Sequence, residues 1–159
     1  MIFVCLGSQQ YPFNRPLKEI DRLIDENIIK EDVFAQIGNS DYIPKKFKYK
    51  DFLNPEDYKK VLEMADVVIS HGGTGSIINA IKLSKPTIVI PRQSKYGEHL
   101  DDHQFQIVEK FFDMGYVLKA IEMDEIKDMY LKIKAGFKPR EFKNSGKIIK
   151  MIDDFIMKN

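Results

Sequence analysis

The residues best suited to chemistry fall in one stretch, Ile69-Ser70-His71-Gly72-Gly73-Thr74-Gly75-Ser76-Ile77-Ile78-Asn79, which follows an apolar run and opens a helical pattern. Glycines let backbone N–H groups approach an anion, and the N-terminus of a following helix favours negative charge. Thr74 and Ser76 would add hydroxyl donors, and His71 is a candidate further donor beside the same anion. A Walker loop is excluded, because Gly75 is followed by Ser76 with no lysine between them. The GxGxxG dinucleotide fingerprint fails as well, since Gly73-Thr74-Gly75-Ser76-Ile77 runs into Ile78. A diphosphate fits what remains without a metal. The alternative is that the glycines only permit a tight turn from strand to helix.

The elements that must position this loop alternate in type. Ile2 to Leu6 is a continuous apolar run stopped by Gly7-Ser8, the pattern of a buried strand entering a tight loop. Leu17, Ile20, Leu23, Ile24 and Ile28 then recur at helical spacing. Val33 to Ile37 predicts a second strand, and Phe47, Tyr49 and Asp51 a short third. Asn54-Pro55-Glu56-Asp57 supplies a cap, a proline at the first helical position and an acid at the third, so a helix carrying Tyr58, Val61, Leu62 and Ala65 inward is expected. Val67 to Ile69 predicts the strand before the glycine loop, whose helix runs to about Leu83 and is broken by Ser84-Lys85-Pro86. Thr87 to Ile90 is another buried strand. A long polar loop, 92–102, leads to a helix marked by Phe105, Ile107, Val108, Phe111 and Phe112. Tyr116 to Leu118 predicts a last strand, and helices near 124–134 and 145–157 close the chain. Strands alternating with helices imply one α/β domain over 1–159, a Rossmann-like parallel sheet with helices on both faces and ligands held beyond the carboxyl ends of the strands.

The 159 residues suit one domain, with no repeat or linker to divide them. Twenty-five Lys and Arg against twenty-four Asp and Glu leave no global field that would draw nucleic acid or an anionic membrane. A single cysteine, Cys5, cannot form an internal disulfide and suits a reducing, cytoplasmic setting. The opening MIFVCLG lacks a basic segment and a long apolar core, so no export signal is expected. No apolar run approaches the roughly 20 residues of a membrane-spanning helix.

Ala65 to Pro91, ADVVISHGGTGSIINAIKLSKPTIVIP, together with His103-Gln104, resembles the nucleotide-sugar-binding C-terminal half of MurG-type GT-B glycosyltransferases. The likeness extends to free-standing versions of that half: the small catalytic subunit of the dolichol-linked UDP-GlcNAc transferase, and the PssE/EpsF/CpsG-like subunits of bacterial exopolysaccharide and capsule synthesis. MIFVCLGSQQYPFNR, AQIGNSDYIP and PRQSKYGEHLDDHQ carry it across nearly the whole chain, the last favouring the bacterial branch. The resemblance implies that Gly73, Thr74, Gly75, Ser76 and His71 hold the diphosphate of a UDP-sugar. Gly7 and Ser8 would line the same cleft, Gln104 would contact the sugar hydroxyls, and the 37–43 loop would lie near the uracil. It implies no cofactor and no metal. Asn79 stands where related enzymes place a carboxylate on the ribose hydroxyls, which keeps the geometry and gives up charge-assisted strength.

A GT-B enzyme has two Rossmann-like halves, and this chain corresponds to the donor half. The resemblance therefore implies a membrane-anchored acceptor-binding subunit as partner, a lipid-diphosphate-linked acceptor, and recruitment from the cytoplasm to the membrane through that partner. The expected reaction is inverting transfer of a hexose, with the base supplied by the partner or by the 98–103 loop, where Glu98, Asp101, Asp102 and His103 are candidates for closing over the donor. The competing reading is a catalytically silent subunit that stabilises its partner. The helix near 145–157, with Ile148, Ile149, Ile152, Phe155 and Ile156 on one face, either docks that partner or packs back on its own sheet. His99 and His103 are spaced as in a zinc helix, but Leu100 replaces the glutamate of HExxH and no third ligand is evident. Lys45 to Lys50 reads as an edge strand whose lysines deter pairing, with contact to anionic lipid or the diphosphate-linked acceptor, and then RNA binding, as the other readings.

Overall fold

The computed structural model describes residues 1–143 together with Gly146, Ile148, Lys150 and Asp154. Along the chain run β1 (Ile2–Cys5), α1 (Asn14–Asp25), β2 (Val33–Gln36), β3 (Lys48–Lys50), α2 (Pro55–Met64), β4 (Val67–His71), α3 (Thr74–Lys82), β5 (Thr87–Ile90), α4 (His103–Asp113), β6 (Leu118–Lys119) and α5 (Glu125–Lys134). Among the described residues the strands make one sheet in the order β3-β2-β1-β4-β5-β6. Every adjacent pair is parallel, with Cys5 opposite Gln36 on one side and Ser70 on the other. β1 and β4 are neighbours at the centre, where the chain reverses its direction of travel across the sheet. That is the switch point at which open parallel sheets leave a crevice beyond the strand ends.

Both faces are covered, which is why β1, β4 and β5 are buried along their whole length rather than alternating. One face buries Leu17, Ile20 and Leu23 of α1 and Ile126, Tyr130 and Ile133 of α5 against Val4, Ile69 and Ile88. The other buries Leu62 of α2 and Ala80 of α3 on Phe3, Cys5 and Val68, and Ile77 and Ile81 of α3 with Val108 and Phe111 of α4 beside Val89. α2 starts as its sequence dictates: Asn54 accepts from the Asp57 amide at 2.8 Å with Pro55 at the first helical position. A cap of this kind stabilises by about 1 kcal/mol.

Several boundaries differ from the sequence expectation. The first two strands end one residue earlier than expected, at Cys5 and Gln36, and the third is confined to Lys48–Lys50. β4 runs two residues further, to His71, because its register with β5 continues to Ile90. The last strand begins at Leu118, since Tyr116 and Val117 turn into the α3–α4 cluster before the chain pairs with β5. The 92–102 segment is no free polar loop: it holds a 3-10 turn at Ser94–Tyr96, and Arg92, Gln93 and Glu98 are buried. The helix expected near 145–157 lies largely outside the described residues, although Ile148 is buried in the α3–α4 cluster. No helix among the described residues is long and apolar enough to cross a membrane.

Candidate functional site

The carboxyl ends of β1 and β4 are tied together by a side chain. His71 Nδ1 lies 3.2 Å from the Cys5 carbonyl. A carbonyl only accepts, so Nδ1 carries the proton and Nε2 presents a lone pair. The ring is 7% exposed. Burial pushes its pKa down from 6.5 to about 4 despite that hydrogen bond, and the charges of Arg92 and His99 push the same way. At neutral pH His71 is therefore an uncharged acceptor at Nε2. The sequence expectation made it a donor to phosphate, a role that would first require protonating a buried ring.

The glycines around it do different jobs. A Cβ on Gly73 would collide with His71 Nε2, and one on Gly7 would come within 2.6 Å of the same atom. Gly7 has φ +77 and Gly38 φ +62, a region that L side chains avoid, and a Cβ on Gly38 would meet the Gly7 carbonyl at 2.5 Å. A Cβ on Gly72 would meet Gln104 Cβ at 2.8 Å. These four glycines are required by the domain's own close packing. Gly75 is not: nothing lies within 4 Å of its Cβ position, and the residue is exposed in the first turn of α3. Gly73 at the N-cap supplies no side-chain cap hydrogen bond to the amides of that turn. An open, uncapped helix N-terminus at the switch point is the arrangement that receives an anion.

Thr74 is half-buried beside it. Ser76 is drawn inward, where its hydroxyl neighbours the buried Cys5 thiol and the Tyr58 phenol. Gly7 and Ser8 flank the cleft from the β1 side, with Ser8 exposed. Their loop is braced by Asn39, whose Nδ2 donates to the Gln9 carbonyl at 2.8 Å, and by Ser40, whose Oγ accepts from the Phe13 amide at 3.1 Å. The segment from 37 is thereby packed against the first loop. Gln104 is buried on α4, and its Oε1 accepts from the Gly72 amide at 3.1 Å and the Arg92 amide at 2.9 Å. Its carbonyl oxygen thus fixes the glycine loop to the start of the 92–102 segment. Asn79 is exposed on α3 and lines a groove against α2 with Tyr58, Leu62 and Leu83, five residues beyond Thr74.

Sequence reasoning missed the network that holds the 92–102 segment. The Arg92 guanidinium is fully buried and donates to the carbonyls of Leu6 at 2.8 Å, Tyr11 at 2.8 Å and Glu98 at 3.0 Å, 4.8 Å from the Phe13 ring centroid. Burial lowers its pKa to about 10, partly offset by Glu98, which still leaves it charged. Glu98 is 3% exposed and forms a two-pronged pair with Arg15 of α1 at 2.6 and 2.8 Å, while also accepting from the Gln93 amide at 3.0 Å. Asp102 accepts from the Ser94 amide at 2.8 Å. Asp101 sits between His99 and His103. Glu98 and Asp102 are therefore latches within the segment, and only Asp101 and the two histidines face one another across its open end.

A single parallel sheet with helices on both faces and a crevice at its switch point is a Rossmann-like α/β domain. Residues 1–154 match the glycosyltransferase family 28 C-terminal domain, and the chain belongs to that family. It is similar to the UDP-N-acetylglucosamine transferase subunit ALG13 of Saccharomyces cerevisiae, 46% identical over 57 residues that make up 36% of this chain and 26% of the relative. For the subunit of the same name from Candida albicans the values are 38% over 80 residues, 50% and 24%. The matched region spans about a quarter of the length of these relatives. The fold superposes on the solution structure of ALG13 with a TM-score of 0.59 at 22% identity, covering 94% of this chain and 93% of that one. On MurG of Acinetobacter baumannii the TM-score is 0.58 at 13% identity, covering 82% and 40%. These likenesses establish a fold like the C-terminal half of a GT-B enzyme.

Proposed function

We propose that this chain is the donor-binding, catalytic subunit of a split UDP-sugar glycosyltransferase, completed by a membrane-anchored subunit that holds a lipid-diphosphate-linked acceptor. The observation that carries the reading is Gly75: among the glycines of the loops after β1, β2 and β4 it is the one with open space at its Cβ position, and it lies in the uncapped first turn of α3. The diphosphate would sit on the amides of residues 74–76, where the helix dipole stabilises negative charge as UDP departs. Gly7 and Ser8 would close the β1 side, the Gln104 amide would meet the sugar, and Asn79 would be the family's ribose position with an amide in place of a carboxylate.

The likeness to UDP-N-acetylglucosamine transferase subunits favours N-acetylglucosamine as the sugar. The exopolysaccharide or capsule setting rests on the sequence resemblance alone. Calorimetry with UDP, UDP-GlcNAc, UDP-glucose, UDP-galactose and UDP-glucuronate tests the reading. Binding of UDP and preferential binding of one UDP-sugar is expected, and a chain that binds none of them is not a donor subunit.

A further inference from the structure

Arg92 carries a charge to which no carboxylate of the described residues is hydrogen-bonded. Its guanidinium is fully buried, and its three hydrogen bonds go to the carbonyls of Leu6, Tyr11 and Glu98, which orient it but bring no net charge. Its Nε has no hydrogen-bond partner among the described residues. The carboxylate of Glu98 is engaged by both prongs of Arg15. Arg15, Glu98 and Arg92 therefore form a cluster of one negative and two positive groups, and His71 adds no charge at neutral pH. Burying an ion is costly unless a counter-charge accompanies it.

The sheet fixes where this charge lies. β1, β4 and β5 are consecutive, with Cys5 opposite Ser70 and His71 opposite Ile90. Arg92 follows the end of β5 at Ile90 by two residues, yet its Nη2 reaches the Leu6 carbonyl, just past β1, at 2.8 Å. The side chain thus crosses the carboxyl end of β4, the strand from which the glycine loop departs. The Arg92 and Gly72 amides also share the Gln104 Oε1, at 2.9 and 3.1 Å. Neighbouring strands lie about 4.8 Å apart, which puts the guanidinium on the order of 10 Å from the first turn of α3.

We infer that the Arg15–Glu98–Arg92 cluster is the fixed counter-charge for the donor's diphosphate, with Arg92 its positive pole and Glu98 the group that limits how much positive charge the ligand feels; this rests on the donor-subunit reading above. The phosphate oxygens are held by backbone amides, and the cluster acts on them through space. Arg92 is at the same time a positioning residue, because it ties the first loop to the 92–102 segment. One unit charge at such a distance in a partly buried site changes affinity for a multiply charged anion by roughly tenfold, whereas an uncharged nucleoside feels almost none of it. The cleft thereby favours a diphosphate over a neutral ligand of the same shape. Removing the Arg92 charge weakens anion binding, and removing the Glu98 charge strengthens it.

The test measures UDP and inorganic pyrophosphate by calorimetry, and uridine by amide-shift titration, on wild type, Arg92→Gln, Arg92→Lys and Glu98→Gln. Arg92→Gln is expected to bind UDP and pyrophosphate roughly tenfold more weakly, and Arg92→Lys, which keeps the charge, to stay within about threefold of wild type. Glu98→Gln is expected to bind both anions several-fold tighter although it is less stable, a direction that loosening of the segment does not produce. Uridine affinity should stay within about twofold in every variant. If Arg92→Gln does not fold, Arg92→Lys and Glu98→Gln still decide. Weaker UDP binding by Glu98→Gln, a loss of tenfold or so in Arg92→Lys, or a parallel loss of uridine binding overturns the inference. A wild-type chain that binds pyrophosphate with this order of variants but binds no UDP overturns the donor reading and supports the counter-charge for a different diphosphate. A wild-type chain that binds neither overturns both.

Discussion

His71 Nε2 occupies the space that a side chain on Gly73 would need, two residues further along the same chain. Since Nδ1 of that ring is bonded to the Cys5 carbonyl, the imidazole is a wedge between the first and fourth strands, and Gly7 and Gly73 close over it. The density of glycines in this region therefore has two separate causes. Most of it makes room for His71 and Gln104, and one position, Gly75, leaves room for something the domain does not itself contain.

The two causes predict opposite outcomes for the same substitution. Gly73→Ala forces a methyl into the imidazole and should destabilise by about 1–3 kcal/mol, the usual cost of overpacking. Gly75→Ala places its methyl in open space within a helix, where alanine is favoured by up to about 1 kcal/mol. It should hold or raise the urea midpoint while weakening UDP binding by roughly tenfold, a difference of 1.4 kcal/mol. Urea unfolding and calorimetry on both variants decide the matter, and equal tolerance of the two alanines would remove the distinction.

A pH dependence follows from the neutrality of His71. Its folded pKa of about 4 lies below the unfolded value of 6.5, so between these values the unfolded chain binds a proton that the folded chain does not. Stability contributed by the neutral ring is complete above pH 6.5 and is lost as pH falls toward 4, a change on the order of 3 kcal/mol. In His71→Asn, which can still donate to the Cys5 carbonyl, the unfolding free energy should lose this slope. An unchanged slope in that variant would assign the acid sensitivity to other groups.

Periodicity made most of this fold legible. Ile2 to Cys5, Val67 to Ile69 and Thr87 to Ile90 read as buried strands because a parallel sheet covered on both faces leaves no polar alternation, and Asn54-Pro55 announced α2 through capping chemistry that is local. The glycine loop was legible as a turn from strand to helix for the same reason, since its spacing is contiguous. What stayed hidden depends on contacts across the chain. Arg92 reaches Leu6, eighty-six positions away, and Glu98 reaches Arg15 across eighty-three. Both lie in a polar segment, where charges are ordinarily assigned to water. The inward turn of Ser76 toward Cys5 and the commitment of the Gln104 carbonyl to two backbone amides were hidden likewise, because residue type gives the donor and acceptor but not its partner.

The Arg15–Glu98 pair should make the 92–102 segment part of the folded unit rather than a freely closing lid. Glu98→Gln keeps the shape but removes the charge that receives both guanidinium N–H groups and shares the Gln93 amide. A loss of about 1–3 kcal/mol is expected, the range for weakening hydrogen bonds of a buried group. Amide exchange at Gln93 should accelerate in step. A variant with wild-type stability and unchanged exchange would show that the segment is held by Arg92 alone.

Ser84 offers a stabilising change remote from the chemistry. It follows the last turn of α3 with φ +53, where the Ser84 amide bonds to the Ile81 carbonyl at 2.9 Å and the Lys85 amide to the Ala80 carbonyl at 3.1 Å. This is the paired closure in which glycine is favoured, because a Cβ strains the left-handed backbone. Lys85 Nζ then fastens the turn to the Glu63 and Ala65 carbonyls, both at 2.7 Å, and Pro86 leads into β5, so the turn's conformation is imposed by its neighbours whatever residue occupies it. Ser84→Gly should therefore relieve strain without altering the path of the chain, raising stability by about 1 kcal/mol. Because this turn lies at the opposite end of α3 from Gly75, UDP affinity should be unchanged. A gain in the urea midpoint with unaltered calorimetry would separate the two ends of the helix, one strained for closure and one left open for a ligand, whereas a loss of stability would mean that the serine hydroxyl itself supports the turn.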